Sequence, residues 1–315
     1  MADIFGTPGD DTINLSPFDP SNDRIFGGAG NDYIFAGGGN DTLYGEAGDD
    51  ILIGGPGRDF LDGGEGRDLV DFGGAQEPLG IDFLDPSQDY GEVNAGYRSV
   101  EDIRGTDGFD DRIGGDNGPN RLYGAGGDDY IEGRGGSDYL RGDAGSDRLF
   151  GGADFDDING NMGNDTASGG PGDDWVVGGK DDDLLAGDEG DDLVYGNLGN
   201  DTCDGGDGAD IVRGGQQDDV ISGGAGDDYM SGDRGNDTVT GGAGADLFHT
   251  FGEAGIDRVT DFNAAEGDRV ILDPGTQFTV AQEGADTVIS MTGGGQMTLV
   301  GVSLASLQPG WIFGA

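Results

Sequence analysis

From Thr106 to His249 the chain places an apolar residue at the eighth position of every nonapeptide, without a gap, through 16 consecutive repeats. These residues are Ile113, Leu122, Ile131, Leu140, Leu149, Ile158, Ala167, Val176, Leu185, Val194, Cys203, Val212, Ile221, Met230, Val239 and Phe248. Around each lies a polar, glycine-rich turn, as in Gly169-Gly-Pro-Gly-Asp-Asp174-Trp-Val176-Val177. A second ladder of five repeats runs from Gly27 to Asp71, with Ile34, Leu43, Leu52, Leu61 and Val70 at its eighth positions. Two degenerate repeats precede it, carrying Asp11/Ile13 and Asp23/Ile25.

Glycines permit positive φ and close backbone approach, so Gly-Gly-x-Gly-x-Asp reads as a tight turn. The x-apolar-x triplet that follows is a strand just long enough to point one side chain inward. Turn plus strand makes half a coil, and two repeats complete one. The predicted fold is all-β: a parallel β-roll solenoid, two nonapeptides per coil, with strands stacked about 4.8 Å apart. The predicted organisation is an N-terminal ladder (1–71), a non-repetitive linker or insert of a few strands and a long loop (72–105), the main ladder (106–249) and a β-rich C-terminal cap (250–315).

The sixth position of each nonapeptide is aspartate in 15 of the 16 repeats of the main ladder, with Asn120 in the other. Coils of 18 residues place Asp129, Asp147, Asp165, Asp183, Asp201, Asp219 and Asp237 along one edge. Asp138, Asp156, Asp174, Asp192, Asp210, Asp228 and Asp246 line the other, and Asp111 stands near the start. The first ladder contributes Asp32, Asp41, Asp50, Asp59 and Asp68. Composition sharpens this: the chain has 315 residues, 71 glycines and a net charge of −49, with 54 Asp against 10 Glu. A merely solvated acidic surface would draw on both acids, so the short carboxylate is needed at fixed places.

Stacked carboxylates repel unless a cation lies between them, and two carboxylates with turn carbonyls suit calcium, which takes six to eight oxygens. The absence of repeated His or Cys argues against zinc, copper or iron. With one lysine and 14 scattered arginines, the chain lacks the basic patch that nucleic acid needs. No apolar run is long enough for a transmembrane helix. The segment Met1-Ala2-Asp3-Ile4-Phe5-Gly6 does not read as a cleaved signal peptide.

The pattern Gly-Gly-x-Gly-x-Asp-x-apolar-x resembles the hemolysin-type, or RTX, calcium-binding repeat over most of the chain. The resemblance implies calcium between adjacent turns, held by the sixth-position Asp and the carbonyls of positions two and four. Here those carbonyls belong to Gly28 and Gly30, Gly170 and Gly172, Gly206 and Gly208, Gly224 and Gly226, and Gly242 and Gly244, for a total of roughly 15–20 ions. Asp154, Asp181 and Gln217 replace the fourth-position glycine, and with Asn120 they mark expected weak sites. The family also implies secretion from a Gram-negative cell by type I machinery reading the C-terminal region. Folding is then expected to await external calcium, because each repeat buries little apolar surface against a large ordering entropy.

No catalytic residue is expected. Asp-Asp pairs such as Asp173/Asp174 recur too regularly for a glycosidase dyad, His249 reads as structural, and Cys203 as a small core residue. Trp175 should face outward. Beside a secreted calcium-binding protein, the open alternative is a calcium-dependent surface-layer or adhesive protein, with self-assembly or cell-surface polysaccharide as partners.

Overall fold

The computed structural model describes residues 2–18, 20–84 and 96–314; residues 85–95, where the long loop of the linker was expected, lie outside them. The chain is all-β, and among the described residues the one helical turn is the short 3-10 segment Leu304–Ser306. It forms two compact units, residues 1–149 and 150–315.

In residues 150–315 the expected half-coils are present. Strands such as Trp175–Lys180, Leu193–Leu198 and Ile211–Gln216 pair in parallel, with Trp175 beside Leu193 and Leu193 beside Ile211. The facing sheet pairs Leu184–Glu189, Thr202–Asp207 and Val220–Ala225 in the same way. Each six-residue strand spans positions seven to nine and continues through the first three residues of the next repeat. The eighth-position side chains stack into two inward columns. One runs Ile158, Val176, Val194, Val212, Met230, Phe248, and the other Ala167, Leu185, Cys203, Ile221, Val239. All are at most 2% exposed, so the core is a single file of side chains per sheet.

Beyond Phe248 the repeat continues in disguise. Gly252-Glu-Ala-Gly255-Ile-Asp257-Arg-Val259-Thr260 has the same layout, displaced by the two extra residues Thr250 and Phe251. Asn263 to Ile271, displaced again by Asp261 and Phe262, places Asp268 and Val270 at the same positions. Val259 lies beside Val239, and Val270 beside Phe248, so both columns extend by one. Two of the extra residues turn inward: Thr250 is 1% exposed, and Phe262 is 6% exposed, packed between Phe248 and Trp311. The antiparallel strands Phe278–Glu283, Asp286–Met291 and Gln296–Leu299 complete one sheet, and Ile312–Gly314 the other.

In residues 1–149 one column is continuous across the linker: Ile13, Ile34, Leu52, Val70, Ile103, Leu122, Leu140. Ile103, on strand Asp102–Arg104, bridges the two ladders despite their different phase. The other side is interrupted. Ile4, Ile25, Leu43 and Leu61 end beside Tyr97, and a new column starts with Ile81, Ile113 and Ile131. Two described strands of the linker, Gly80–Asp82 and Asp102–Arg104, are therefore rungs of the roll.

Candidate metal centre

The regular turns share one backbone device. Positive φ falls at the second and fourth positions, including all ten glycines Gly28, Gly30, Gly170, Gly172, Gly206, Gly208, Gly224, Gly226, Gly242 and Gly244, and is absent from the turns that carry Asp111 and Asn120. At Asp154, Asp181 and Gln217, which replace the fourth-position glycine, the backbone is unchanged, with φ of 72°, 75° and 79°. The first-position glycine answers a different constraint. At Gly187 a Cβ would overlap the Asp192 carboxylate and the Gly205 carbonyl, and the same holds at Gly205 and Gly223. Only a bare Cα lets the sixth-position carboxylate fold back against its own turn.

That carboxylate is buried. The twenty candidate aspartates from Asp32 to Asp246 are at most 6% exposed. Along the regular turns their Oδ1 atoms share a role, accepting the backbone N–H of the residue 18 positions earlier, whereas Asp32 takes the Asp11 amide and Asp111 that of Leu79. The Asp174 amide donates to Asp192 at 2.7 Å, that of Asp192 to Asp210 at 2.8 Å, and that of Asp210 to Asp228 at 2.9 Å. The other edge repeats this from Asp183 to Asp201 (2.9 Å) and from Asp201 to Asp219 (2.8 Å), and the first ladder from Asp32 to Asp50 (2.7 Å). Glutamate would overshoot this link, which explains the bias toward the shorter acid. The fifth position points the other way: Asp173 accepts the Asp191 amide (3.0 Å), and Asp191 that of Ala209 (2.9 Å). The recurrent Asp-Asp pairs are thus one inner and one outer staple.

Oδ2 is different. At Asp32, Asp50, Asp68, Asp129, Asp174, Asp183, Asp192, Asp201, Asp210, Asp219, Asp228, Asp237 and Asp246 it is buried and accepts no hydrogen bond. The fourth-position carbonyls of Gly172, Gly190, Gly208 and Gly226 likewise accept no backbone hydrogen bond. A buried anionic oxygen without a partner is costly. Burial is the main cause that pushes the Asp183 and Asp219 carboxyl groups up to about 8, and Asp192 and Asp228 to about 7, with neighbouring aspartates adding to it. Among the described residues no three His, Cys, Asp or Glu side chains converge. A cation here would therefore draw on carboxylate oxygens in combination with turn carbonyls. A hard, oxygen-preferring ion fits that donor set.

Some turns satisfy Oδ2 internally. Asp111 Oδ2 accepts the Thr106 amide (2.7 Å) and hydroxyl (3.0 Å), while its Oδ1 takes the Leu79 amide (2.7 Å) and the Asp129 amide bonds onward to Asp147. Asn120 accepts the Asp116 amide (2.9 Å) and donates to the Glu101 carbonyl (2.9 Å). Glu101, which the repeat pattern did not single out, takes the Asp68 amide at 3.0 Å in place of the missing aspartate. Asp257 and Asp268 were missed as well; the shifted nonapeptide was the signal that would have found them.

His249 sits in a shallow cleft of about 600 Å³ lined by Tyr195, Arg213, Asp233 and Phe251. Its ring lies 3.1 Å from Ser231 Oγ and 3.1 Å from Asp273 Oδ1. This is not a catalytic triad: Ser231 is 1% exposed and its hydroxyl donates to Asp233 (2.8 Å), which is clamped by Arg213. Cys203 is buried in the core column, and Trp175 is outward, 52% exposed, edge-on to Phe155.

No curated protein matches the chain. Among solved structures, the extracellular lipase LipA from Serratia marcescens aligns with 99% of this chain at 19% identity and a TM-score of 0.22, and this chain spans 40% of that lipase. A family model for the RTX calcium-binding nonapeptide repeat matches residues 19–75 and 105–259 in overlapping segments. With calcium as the ion those rows of buried oxygens would receive, the chain belongs to the family of RTX calcium-binding nonapeptide repeat proteins.

Proposed function

We propose that this chain is a secreted calcium-binding protein whose ladders fold as calcium enters between stacked turns. The observation that carries this reading is the row of buried Oδ2 atoms without hydrogen-bond partners. Without a cation, forming the roll buries those charges in mutual repulsion; with one, the same charges become ligands, so binding and folding are a single event. Calcium modules outside cells commonly bind at around 10⁻⁴–10⁻³ M, a range that keeps the chain unfolded in a calcium-poor cytosol and folds it on export. Residues 250–315 would serve as the cap and as the segment that type I machinery reads, with 1–71 and 106–249 as the two calcium ladders. No helix of the described residues is long and apolar enough to cross a membrane.

Circular dichroism of the full chain, titrated with calcium from chelator, tests the reading. Cooperative gain of β signal is expected between micromolar and millimolar calcium. A full β spectrum in excess chelator at neutral pH would sink it.

A further inference from the structure

In residues 150–315 each sheet carries a shallow groove over the ninth, second and third positions of successive turns. The two grooves share a construction and differ in chemistry. On one sheet Asp188, Glu189, Asp204 and Asp207 line the groove, with no basic side chain among the described residues. On the other lies the cleft of about 600 Å³ beside His249, where Arg213 and Arg234 stand with Asp233 and Asp273. Those four charges cancel, in a chain whose net charge is −49.

Strands in register build this cleft. Tyr195, Arg213, Ser231 and His249 stand side by side on consecutive parallel strands, spanning about 14 Å at the usual strand spacing. Asn197, Gly215 and Asp233 form the next row, and buried Gly215, with no side chain, leaves the space between the other two open. Part of the lining is fixed. The Arg213 guanidinium donates to both Asp233 oxygens, at 2.9 and 2.8 Å, and lies 5.4 Å from the centre of the Tyr195 ring. His249 stacks against Tyr229 and Phe251, with ring centroids 5.8 and 6.2 Å away. Other groups are unused: the Tyr195 hydroxyl and the side chains of Asn197, Gln216 and Arg234 have no hydrogen-bond partner among the described residues.

We propose that this cleft binds a neutral oligosaccharide. A sugar hydroxyl both donates and accepts, and the Asn197 and Gln216 amides and the Arg213–Asp233 pair present donors and acceptors side by side. The Tyr195 and Phe251 rings offer apolar faces to the C–H surface of a sugar ring. An anionic polymer would approach against the field of the whole chain. A purely apolar ligand would strip water from polar groups and return no hydrogen bond. The length of the cleft admits more than one sugar ring. The site lies outside the rows of buried Oδ2 atoms, so it goes beyond the calcium reading and needs only the folded roll.

Isothermal titration calorimetry of the full-length chain at saturating calcium tests this. The neutral probes are cellohexaose, maltohexaose, mannohexaose and the hexamer of N-acetylglucosamine; hexaguluronate is the anionic one. At least one neutral hexamer is expected to bind more tightly than hexaguluronate. Gln216→Ala, at an exposed position, and Tyr195→Ala are each expected to weaken that binding about tenfold, the effect of losing one such contact. Ser222→Ala, at a ninth position of the acidic groove, should leave it unchanged. No binding of any neutral hexamer overturns the proposal, as does hexaguluronate binding as tightly as the best of them. An affinity that neither cleft variant lowers, or that Ser222→Ala lowers as much, also overturns it. Circular dichroism at saturating calcium checks each variant, and if Tyr195→Ala loses its β spectrum, Gln216→Ala decides.

Discussion

The turns of residues 169–246 and the junction of residues 67–134 both bury aspartates, and they neutralise them in opposite ways. In the turns the second carboxylate oxygen of Asp192 or Asp210 meets no donor. At the junction arginines supply the positive charge. Arg67 grips Asp102 through two bonds of 2.9 and 2.6 Å, Arg134 grips Asp82 at 2.8 and 2.6 Å, and Arg104 reaches Asp71 at 3.1 Å. Regular turns can wait for an external cation because each looks like its neighbour, and one ion type serves all. At the junction the phase breaks and the carboxylates no longer stack, so fixed guanidinium groups replace the mobile ion. On the calcium-coupled folding proposed above, the regular turns would depend on metal, while the joint carries its own counter-charges.

The largest effect that would test this contrast is the order in which regions lose structure as calcium is withdrawn. Amide exchange at Val194, Val212 and Met230 is expected to accelerate at a higher calcium concentration than at Ile81, Ile103 and Ile113. Simultaneous loss, or loss at the junction first, would remove the distinction.

Protons should substitute for calcium in the turns. The carboxyl groups of Asp183 and Asp219 rise from an ordinary 3.8 to about 8, chiefly through burial, and those of Asp174 and Asp201 to about 6. The calcium-free fold therefore binds more protons than the unfolded chain between about pH 4 and pH 8. Its stability is greatest below the unfolded value and falls as pH rises through the folded values. Calcium-free protein is expected to show more β signal at pH 4–5 than at pH 8, and calcium affinity to drop as pH falls from 8 to 6. A calcium-free β signal that grows toward pH 8 would contradict this.

At the junction the prediction is mutational. Arg134→Ala leaves Asp82, a buried carboxylate, without its bidentate partner, and removing one member of a buried pair costs about 3–5 kcal/mol. Thermal melts at saturating calcium should show this loss, and added calcium should not restore it. Full rescue by calcium would mean that the junction behaves like the turns.

The repeated part of this structure was readable from the chain because each residue in a nonapeptide has one job. Position eight fills the core, position six faces the turn, and the strict spacing displays both. What escaped notice is what spacing cannot show. Glu101 acts through a side chain one carbon longer than aspartate, reaching into the ladder from the residue just before the non-repetitive strand Asp102–Arg104. Asp257 and Asp268 were hidden by paired insertions that change the coil from 18 residues to 20 and 22. Ile103 was invisible as a rung because a strand of three residues, Asp102–Arg104, has no period of its own. The split between unpartnered and self-satisfied carboxylates depends on whether an N–H such as that of Thr106 turns inward, a backbone detail that residue identity alone does not encode.

A smaller effect separates a first-position glycine, held against a carboxylate, from a third-position one that meets nothing. Gly187→Ala drives a methyl into the Asp192 carboxylate and the Gly205 carbonyl, an overpacking expected to cost about 1–3 kcal/mol. Gly108→Ala, in the turn whose Asp111 is closed by Thr106, meets nothing within 4 Å and should stay within about 0.5 kcal/mol of the parent. Equal melting temperatures for the two variants would show that the carboxylate does not need the bare Cα.

The smallest effect concerns Gln217, whose φ of 79° is the conformation its neighbours meet with glycine. Its side chain is exposed, and its carbonyl lies against Gly235, so the residue's cost is conformational and not a matter of packing. Asp154 and Asp181 adopt the same backbone, but aspartate enters this region more readily than glutamine. Gln217→Gly removes a folded-state strain of about 1–2 kcal/mol while adding unfolded-chain freedom worth about 0.4–1 kcal/mol. A net gain of about 0.5 kcal/mol is expected, read as a slightly higher melting temperature in calcium. If the gain instead appears as a tighter calcium midpoint with no change in melting at saturation, the fourth position acts on the ion's carbonyl ligand, and the contrast between regular and irregular turns shifts from the side chain to the backbone.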